Sequence, residues 1–162
     1  MAKNPLHKIK HDAFRECKKI TSLDLNHTSF KNYRGDLKFL KRLYELEDLD
    51  LSFAFVEQDF NDLTRIYEVL TLQKLDMRGV GLVSIAEIKK KFPNLVYLDV
   101  RDNKLVSFDL IEALRGLSDF ADINLKGNPI CIHKHLKDEL IQFLPFIERV
   151  NGEEIHKSGW KY

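Results

Sequence analysis

One apolar motif recurs along this chain at nearly constant spacing, and it leaves few folds open. The pattern is L-x-x-L-x-L-x-x-N-x-L. It runs through Ile20, Leu23, Leu25, Thr28 and Phe30, then Leu46, Leu49, Leu51, Ala54 and Val56, then Leu72, Leu75, Met77, Val80 and Leu82. Two further copies are Leu95, Leu98, Val100, Asn103 and Leu105, and Phe120, Ile123, Leu125, Asn128 and Ile130. Successive copies start 26, 26, 23 and 25 residues apart. Units this short cannot bury an apolar face alone; only stacking on a neighbour does so, which makes the chain a solenoid. The asparagine slot is kept by Asn103 and Asn128 alone. An asparagine there hydrogen-bonds neighbouring backbone, which Ala54 and Val80 cannot do, so the first three turns are expected to be less regular.

The centre of each copy alternates apolar and polar residues, the signature of a short strand with one buried face. The class is therefore α/β: five parallel-strand repeats, with a helical convex side opposite the sheet. Leu37, Leu40 and Leu43 have helical spacing, as do Leu63, Ile66, Tyr67 and Leu70. Ser84 and Glu87 form a capping box before Ile88 and Phe92, and Asp109 with Glu112 resembles another helix start. Near the N-terminus, Asn4-Pro5 reads as an N-cap followed by proline at the first helical position. Leu6, Ile9, Ala13, Phe14 and Cys17 then form an apolar stripe, which predicts a helix over residues 5–18 covering the open end of the first repeat.

After the fifth copy, Asn128-Pro129-Ile130-Cys131 leads into a helical stretch with Leu136, Leu140, Ile141, Phe143 and Leu144. Then follows Leu144-Pro145-Phe146-Ile147-Glu148-Arg149-Val150-Asn151-Gly152-Glu153-Glu154-Ile155. This closely resembles the C-terminal cap of the short, SDS-type leucine-rich-repeat proteins, roughly L-P-x-L-x-x-L-D-G-x-x-I, with Asn151 where that group usually has aspartate. The group includes the spliceosomal A-prime protein, the repeat domain of the mRNA exporter and a leucine-rich dynein light chain. The resemblance implies partner binding through the solenoid surface, and it singles out none of these members. The expected organisation is one domain over 1–162: a capping helix in 1–19, repeats in 20–130, a cap in 131–155 and a tail in 156–162. That tail holds Trp160, which either folds back on the solenoid or anchors a partner.

Composition sets further bounds. Charged residues are 31% and hydrophobic residues 44% of the chain, as in folded globular proteins. The charge is +1 from 26 basic and 25 acidic residues, so nothing global argues for a polyanion partner. Two cysteines, Cys17 and Cys131, are too few for a disulfide framework, which favours a reducing intracellular compartment, cytoplasm or nucleus. A basic start free of acidic residues before Asp12 has one trait of a mitochondrial leader, but Pro5, Asp12 and Glu16 fit it poorly.

Between the buried leucines, strand residues face the concave side and line up in columns, because adjacent strands lie about 4.7–4.9 Å apart. The middle column is Asp24, Asp50, Asp76, Asp99 and Asn124. Before it run Ser22, Asp48, Lys74, Tyr97 and Asp122; after it run Asn26, Ser52, Arg78, Arg101 and Lys126. The first half of the face is thus acidic and the flanks of the second half basic. Either the cations merely compensate the aspartates, or the face is a docking groove with Tyr97 as an aromatic anchor. Phe53 and Phe55 flank Ala54 and are expected to project outward as a partner contact, unless the second turn tucks one inside.

Other chemistry is less well supported. Asp24, Asp50 and Asp76 sit near one another, but on an open sheet with no implied pocket to exclude water. Cys131 and His133 lack an oxyanion donor and a third orienting group, and Cys131 reads as a small buried residue. His7 and His11 could share a metal on one helix face, but no third ligand is in view. Arg78-Gly79-Val80-Gly81-Leu82 lacks the phosphate-cradle pattern and reads as turn glycines. Lys89-Lys90-Lys91 reads as a solvated face rather than a nucleic-acid patch. The expected function is therefore a non-catalytic protein-binding adaptor, without cofactor or metal. The alternative is a ribonucleoprotein or RNA-binding component.

Overall fold

The computed structural model describes residues 9–10, 12–17, 19–31, 35, 37–55 and 60–156. Five strands stack in chain order and in parallel: β1 (Ser22–Asp24), β2 (Asp48–Asp50), β3 (Lys74–Asp76), β4 (Tyr97–Asp99) and β5 (Asp122–Asn124). The sheet continues through β6 (Arg149–Val150), parallel to β5, and closes on the antiparallel β7 (Glu153–Glu154). Register keeps the motif aligned, with Leu23, Leu49, Leu75, Leu98 and Ile123 side by side. The described apolar slots of the motif are buried apart from Ile20 and Leu23, which pack half-buried at the first coil. Val56 lies outside the described residues.

The side opposite the sheet changes character along the chain. The later coils carry α-helices: α1 (Ile88–Lys91), α2 (Asp109–Arg115) and α3 (Leu136–Phe143). Over 37–43 and 63–70 the described residues form 3-10 turns instead, Lys38–Arg42 and Leu63–Arg65, which corrects the expectation of helix at those positions. The physical reason lies in the period of the buried residues. Leu37, Leu40, Leu43 and Leu46 recur every three residues, as do Leu63, Ile66, Val69 and Leu72, and all are buried. Three residues per turn is the 3-10 period. The bonds follow it: Leu40 N–H to Leu37 C=O, Leu43 to Leu40, Ile66 to Leu63 and Leu72 to Val69. Past Ile66 the chain turns to its neighbour, where Val69 N–H donates to Lys91 C=O at 3.0 Å.

The expected capping box does not close. Ser84 Oγ accepts from Ala86 N–H at 3.2 Å, and Glu87, at the N-cap of α1, makes no side-chain cap bond. Where the N-terminal capping helix is predicted, residues 12–16 form turns with bonds three residues apart, such as Ala13 N–H to Lys10 C=O. Ile9 is nonetheless buried, and Phe14 packs on Phe39 at 5.0 Å between ring centres. The remainder of that prediction lies outside the described residues.

Two devices join the coils. In the later half it is buried asparagine. Asn103 Oδ1 accepts from Val80 and Leu82 N–H at 3.1 and 2.9 Å, while its Nδ2 donates to Met77, Val100 and Arg101 carbonyls. Asn128 does the same one coil on, accepting from Leu105 N–H and donating to Val100 and Leu125 carbonyls. Asn151 adds a third rung, its Oδ1 taking Leu125 N–H at 2.7 Å. Asparagine serves at this position because the contact needs only an acceptor. In the earlier half the device is aromatic. Phe30 pairs with Phe55, whose ring stacks on Phe60 at 4.8 Å.

Replacing Asn103 by alanine would strand two buried N–H donors and the Met77 carbonyl, while the Val100 and Arg101 carbonyls keep Asn128 and Gly79 as donors. Asn103→Ala is expected to lower unfolding free energy by about 2–4 kcal/mol. The exposed bond from Asn26 to Asp24 should be worth less than about 0.5 kcal/mol by comparison. Urea titration of Asn103→Ala and Asn26→Ala side by side checks both figures.

Candidate functional site

The concave face is built by a turn repeated in every coil. Each middle-column residue accepts a bond from the backbone N–H two residues on: Asp24 from Asn26, Asp50 from Ser52, Asp76 from Arg78, Asp99 from Arg101 and Asn124 from Lys126. This Asx turn is the physical reason for aspartate in the column. The residue after it adopts positive φ in all five coils: His27 (52°), Phe53 (53°), Gly79 (60°), Asp102 (56°) and Gly127 (78°). The two glycines are required for space as well. A Cβ at Gly79 would fall 2.1 Å from Phe53 Cε1, and one at Gly127 would fall 2.2 Å from Asp102 Oδ1.

The arginines of this face are paired with carboxylates. Arg101 Nε and Nη2 grip both oxygens of Asp99 at 2.8–3.0 Å, and Asp99 is only 1% exposed. Arg78 clamps Asp76 in the same way, with Nε on Oδ1 at 2.9 Å and Nη2 on Oδ2 at 2.8 Å. Arg149 reaches across to Asp122 at 3.0 Å. Arg78 and Arg101 are thus each paired with the aspartate of their own turn. Burial is the larger influence on Asp76 and Asp122 and raises both above the ordinary carboxylate range, against the pull of their arginines.

What remains open lies elsewhere on the face. Asp24 is exposed, and its carboxylate holds Asn26 Nδ2 at 2.6 Å. Half-buried Asp48 and exposed Lys74 are register partners without an ion pair between them. Asp50 is half-buried, and Lys126 is exposed. Tyr97 is half-buried, its hydroxyl 3.4 Å from Asp99 Oδ2.

Three expectations are corrected. Phe55 does not project outward: it is 3% exposed and sits in the aromatic stack beneath the second turn. Phe53 is half-buried, stacked on His27 at 5.1 Å with the rings 10° apart and lying over Gly79. His27 was not a candidate from sequence; only its place three residues after Asp24 marks it. Cys131 is exposed rather than buried, and its Sγ donates to Leu125 C=O at 3.0 Å. Gly79 and Gly81 are turn glycines with positive φ, as the sequence implied. Of the three lysines on α1, Lys89 and Lys90 are exposed and Lys91 half-buried. Among the described residues no three His, Cys, Asp or Glu side chains converge as a metal site; His7, His11 and Trp160 lie outside them. No described helix is long and apolar enough to cross a membrane.

The Tyr97 phenol is pushed up to about 12, chiefly by burial and then by the negative charge of Asp99. The folded state holds that proton more tightly than the unfolded chain, so stability should fall as pH rises from about 10 to 12. Absorbance titration at alkaline pH should show a phenolate component near 12 that disappears in Tyr97→Phe.

No family model matches the chain, and no curated protein matches its sequence. Among solved structures, it is similar to a chain in the crystal structure of the Drosophila melanogaster SNF/U2A' complex. The TM-score is 0.65 at 18% identity, covering 84% of this chain and 75% of that one. At that identity the likeness speaks to fold, and together with the coil register it shows that the chain is a leucine-rich-repeat solenoid.

Proposed function

We propose that the chain is a non-catalytic adaptor that binds a partner protein across the concave face of its sheet. The observation that carries this reading is the charge left unclamped there. Asp24, Asp48 and Lys74 present side chains without an ion-pair partner among the described residues, and Lys74 lies beside a half-buried aromatic, Tyr97. Such a face offers specific polar contacts around one desolvated anchor. The similar solved structure is that of the SNF/U2A' complex, which supports a protein as partner here. The clamped arginines weigh against RNA on this face, since phosphate binding needs cations free to give up their counterions.

In this reading 1–162 acts as one leucine-rich-repeat domain, working inside the cell, in cytoplasm or nucleus. Residues 20–130 supply the repeats, and the segments in 1–19 and 131–155 close the two open ends. The C-terminal closure is supported by Ile147 and Val150, buried against the last coil, and by the Asn151–Leu125 bond.

Asp48 and Lys74 are the residues to test, because neither holds a turn or clamps a neighbour. Arg101→Glu, by contrast, would strand Asp99 in the interior. A partner recovered by affinity capture and then purified should bind about tenfold more weakly to Asp48→Lys and to Lys74→Glu by calorimetry. Circular dichroism of both variants should match the parent. Unchanged affinity in both would remove the concave face as the site.

A further inference from the structure

We propose that a second surface, the turn edge of the second and third coils, is a docking groove for an acidic peptide segment carrying an apolar anchor. This site is separate from the concave face and stands whether or not that face binds a partner.

The observation begins in the repeat. Four residues before each strand from β2 to β6 the chain enters a two-residue turn, and that position holds Tyr44, Leu70, Pro93, Ser118 and Pro145 in succession. Proline and serine show that the turn itself needs no large apolar side chain. Tyr44 and Leu70 are nonetheless large, neighbouring and displayed, at 71% and 59% exposure. Both line one groove of about 640 Å³, whose walls include Leu40, Tyr67 and Val69. Adjacent exposed apolar side chains rimmed by polar ones mark interaction sites far more than isolated ones do.

The groove is held in shape. Leu70 C=O accepts from Asn94 Nδ2 at 2.7 Å, Thr71 Oγ1 donates to Leu46 C=O at 2.7 Å, and Val69 N–H donates to Lys91 C=O at 3.0 Å. These bonds run to the coils on both sides, so the Leu70 turn costs little to order when a ligand arrives.

Charge names the occupant. Lys41 lies 4.7 Å over the Tyr67 ring, and Lys91 also lines the groove. Arg42 lines a second hollow that shares Tyr44, together with Arg15 and Glu16. None of these three cations has a carboxylate within ion-pair distance among the described residues, and Glu68 is the one acidic residue in the groove lining. Carboxylates on the segment would meet Lys41, Lys91 and Arg42 while an aliphatic or aromatic residue packs between Tyr44 and Leu70. Single-stranded nucleic acid fits less well, because Leu70 gives no stacking face and the rim offers too few cations for a phosphate track.

The test uses the full chain and fluorescein-labelled peptide Asp-Glu-Asp-Phe-Leu-Asp-Glu-Asp, its lysine-substituted counterpart and oligo-uridine RNA, read by anisotropy. The acidic peptide should bind, more tightly at low salt, with about tenfold loss in Leu70→Ser and in Lys41→Glu/Lys91→Glu. Asp48→Lys on the concave face should leave this binding unchanged. The proposal is overturned if the acidic peptide does not bind, if Leu70→Ser binds it equally, or if the lysine peptide or the RNA is preferred. It is likewise overturned if the chain sediments as a dimer that Leu70→Ser dissolves, which would give the groove to a second copy.

Discussion

Every coil of this solenoid turns buried backbone toward its neighbour, and the fold exists only where that neighbour answers it. Val80, Leu82, Leu105 and Leu125 each carry an N–H that finds its acceptor in the side chain of an asparagine one coil further on. An unmet donor at such depth costs more than a made bond contributes, so the asparagines act mainly by preventing a penalty. The earlier coils carry Thr28, Ala54 and Val80 at that slot and meet the same constraint differently. Thr28 returns its hydroxyl to Leu25 C=O, while Phe30 N–H donates to Ala54 C=O beside the stacked rings of Phe30, Phe55 and Phe60. Phe55 is therefore spent on cohesion and is lost to recognition.

The same economy shapes the concave face. Aspartate recurs there because its carboxylate holds the next turn, and arginine follows because half-buried carboxylates need cations. Once Asp76, Asp99 and Asp122 are clamped by Arg78, Arg101 and Arg149, the face's apparent polarity contracts to Asp24, Asp48, Asp50, Lys74 and Lys126. Structural duty and recognition are thereby separated residue by residue along one sheet. The turn edge shows the converse: Pro93 and Ser118 suffice for the geometry, so Tyr44 and Leu70 stand out as more than the turn requires.

The solenoid, its strand positions and its register were legible because a single period repeats and each strand has one apolar face. After the fifth copy the apolar pattern also marked Leu144, Ile147 and Val150, which are buried. What periodicity could not separate was helix from 3-10 turn. Leu37, Leu40 and Leu43 satisfy both periods, and the three-residue spacing is decided only by which further residues are buried, Leu46 in one coil and Val69 and Leu72 in the next. On the concave face the columns were readable but the pairing within them was not, since it depends on side chains folding back two residues. Phe53 and Phe55 went different ways for a similar reason. Alternation alone does not say that Phe53 enters positive φ and leaves its ring over Gly79.

Native-state hydrogen exchange measures the central claim most directly. The coils share one interior and one chain of inter-coil bonds, so the amides of Leu51, Met77, Val80, Leu82 and Val100 should exchange with a common opening free energy close to that of global unfolding. Fast exchange at Val80 and Leu82 while Leu51 and Val100 stay protected would contradict it, because Asn103 would then not be holding the third coil to the fourth.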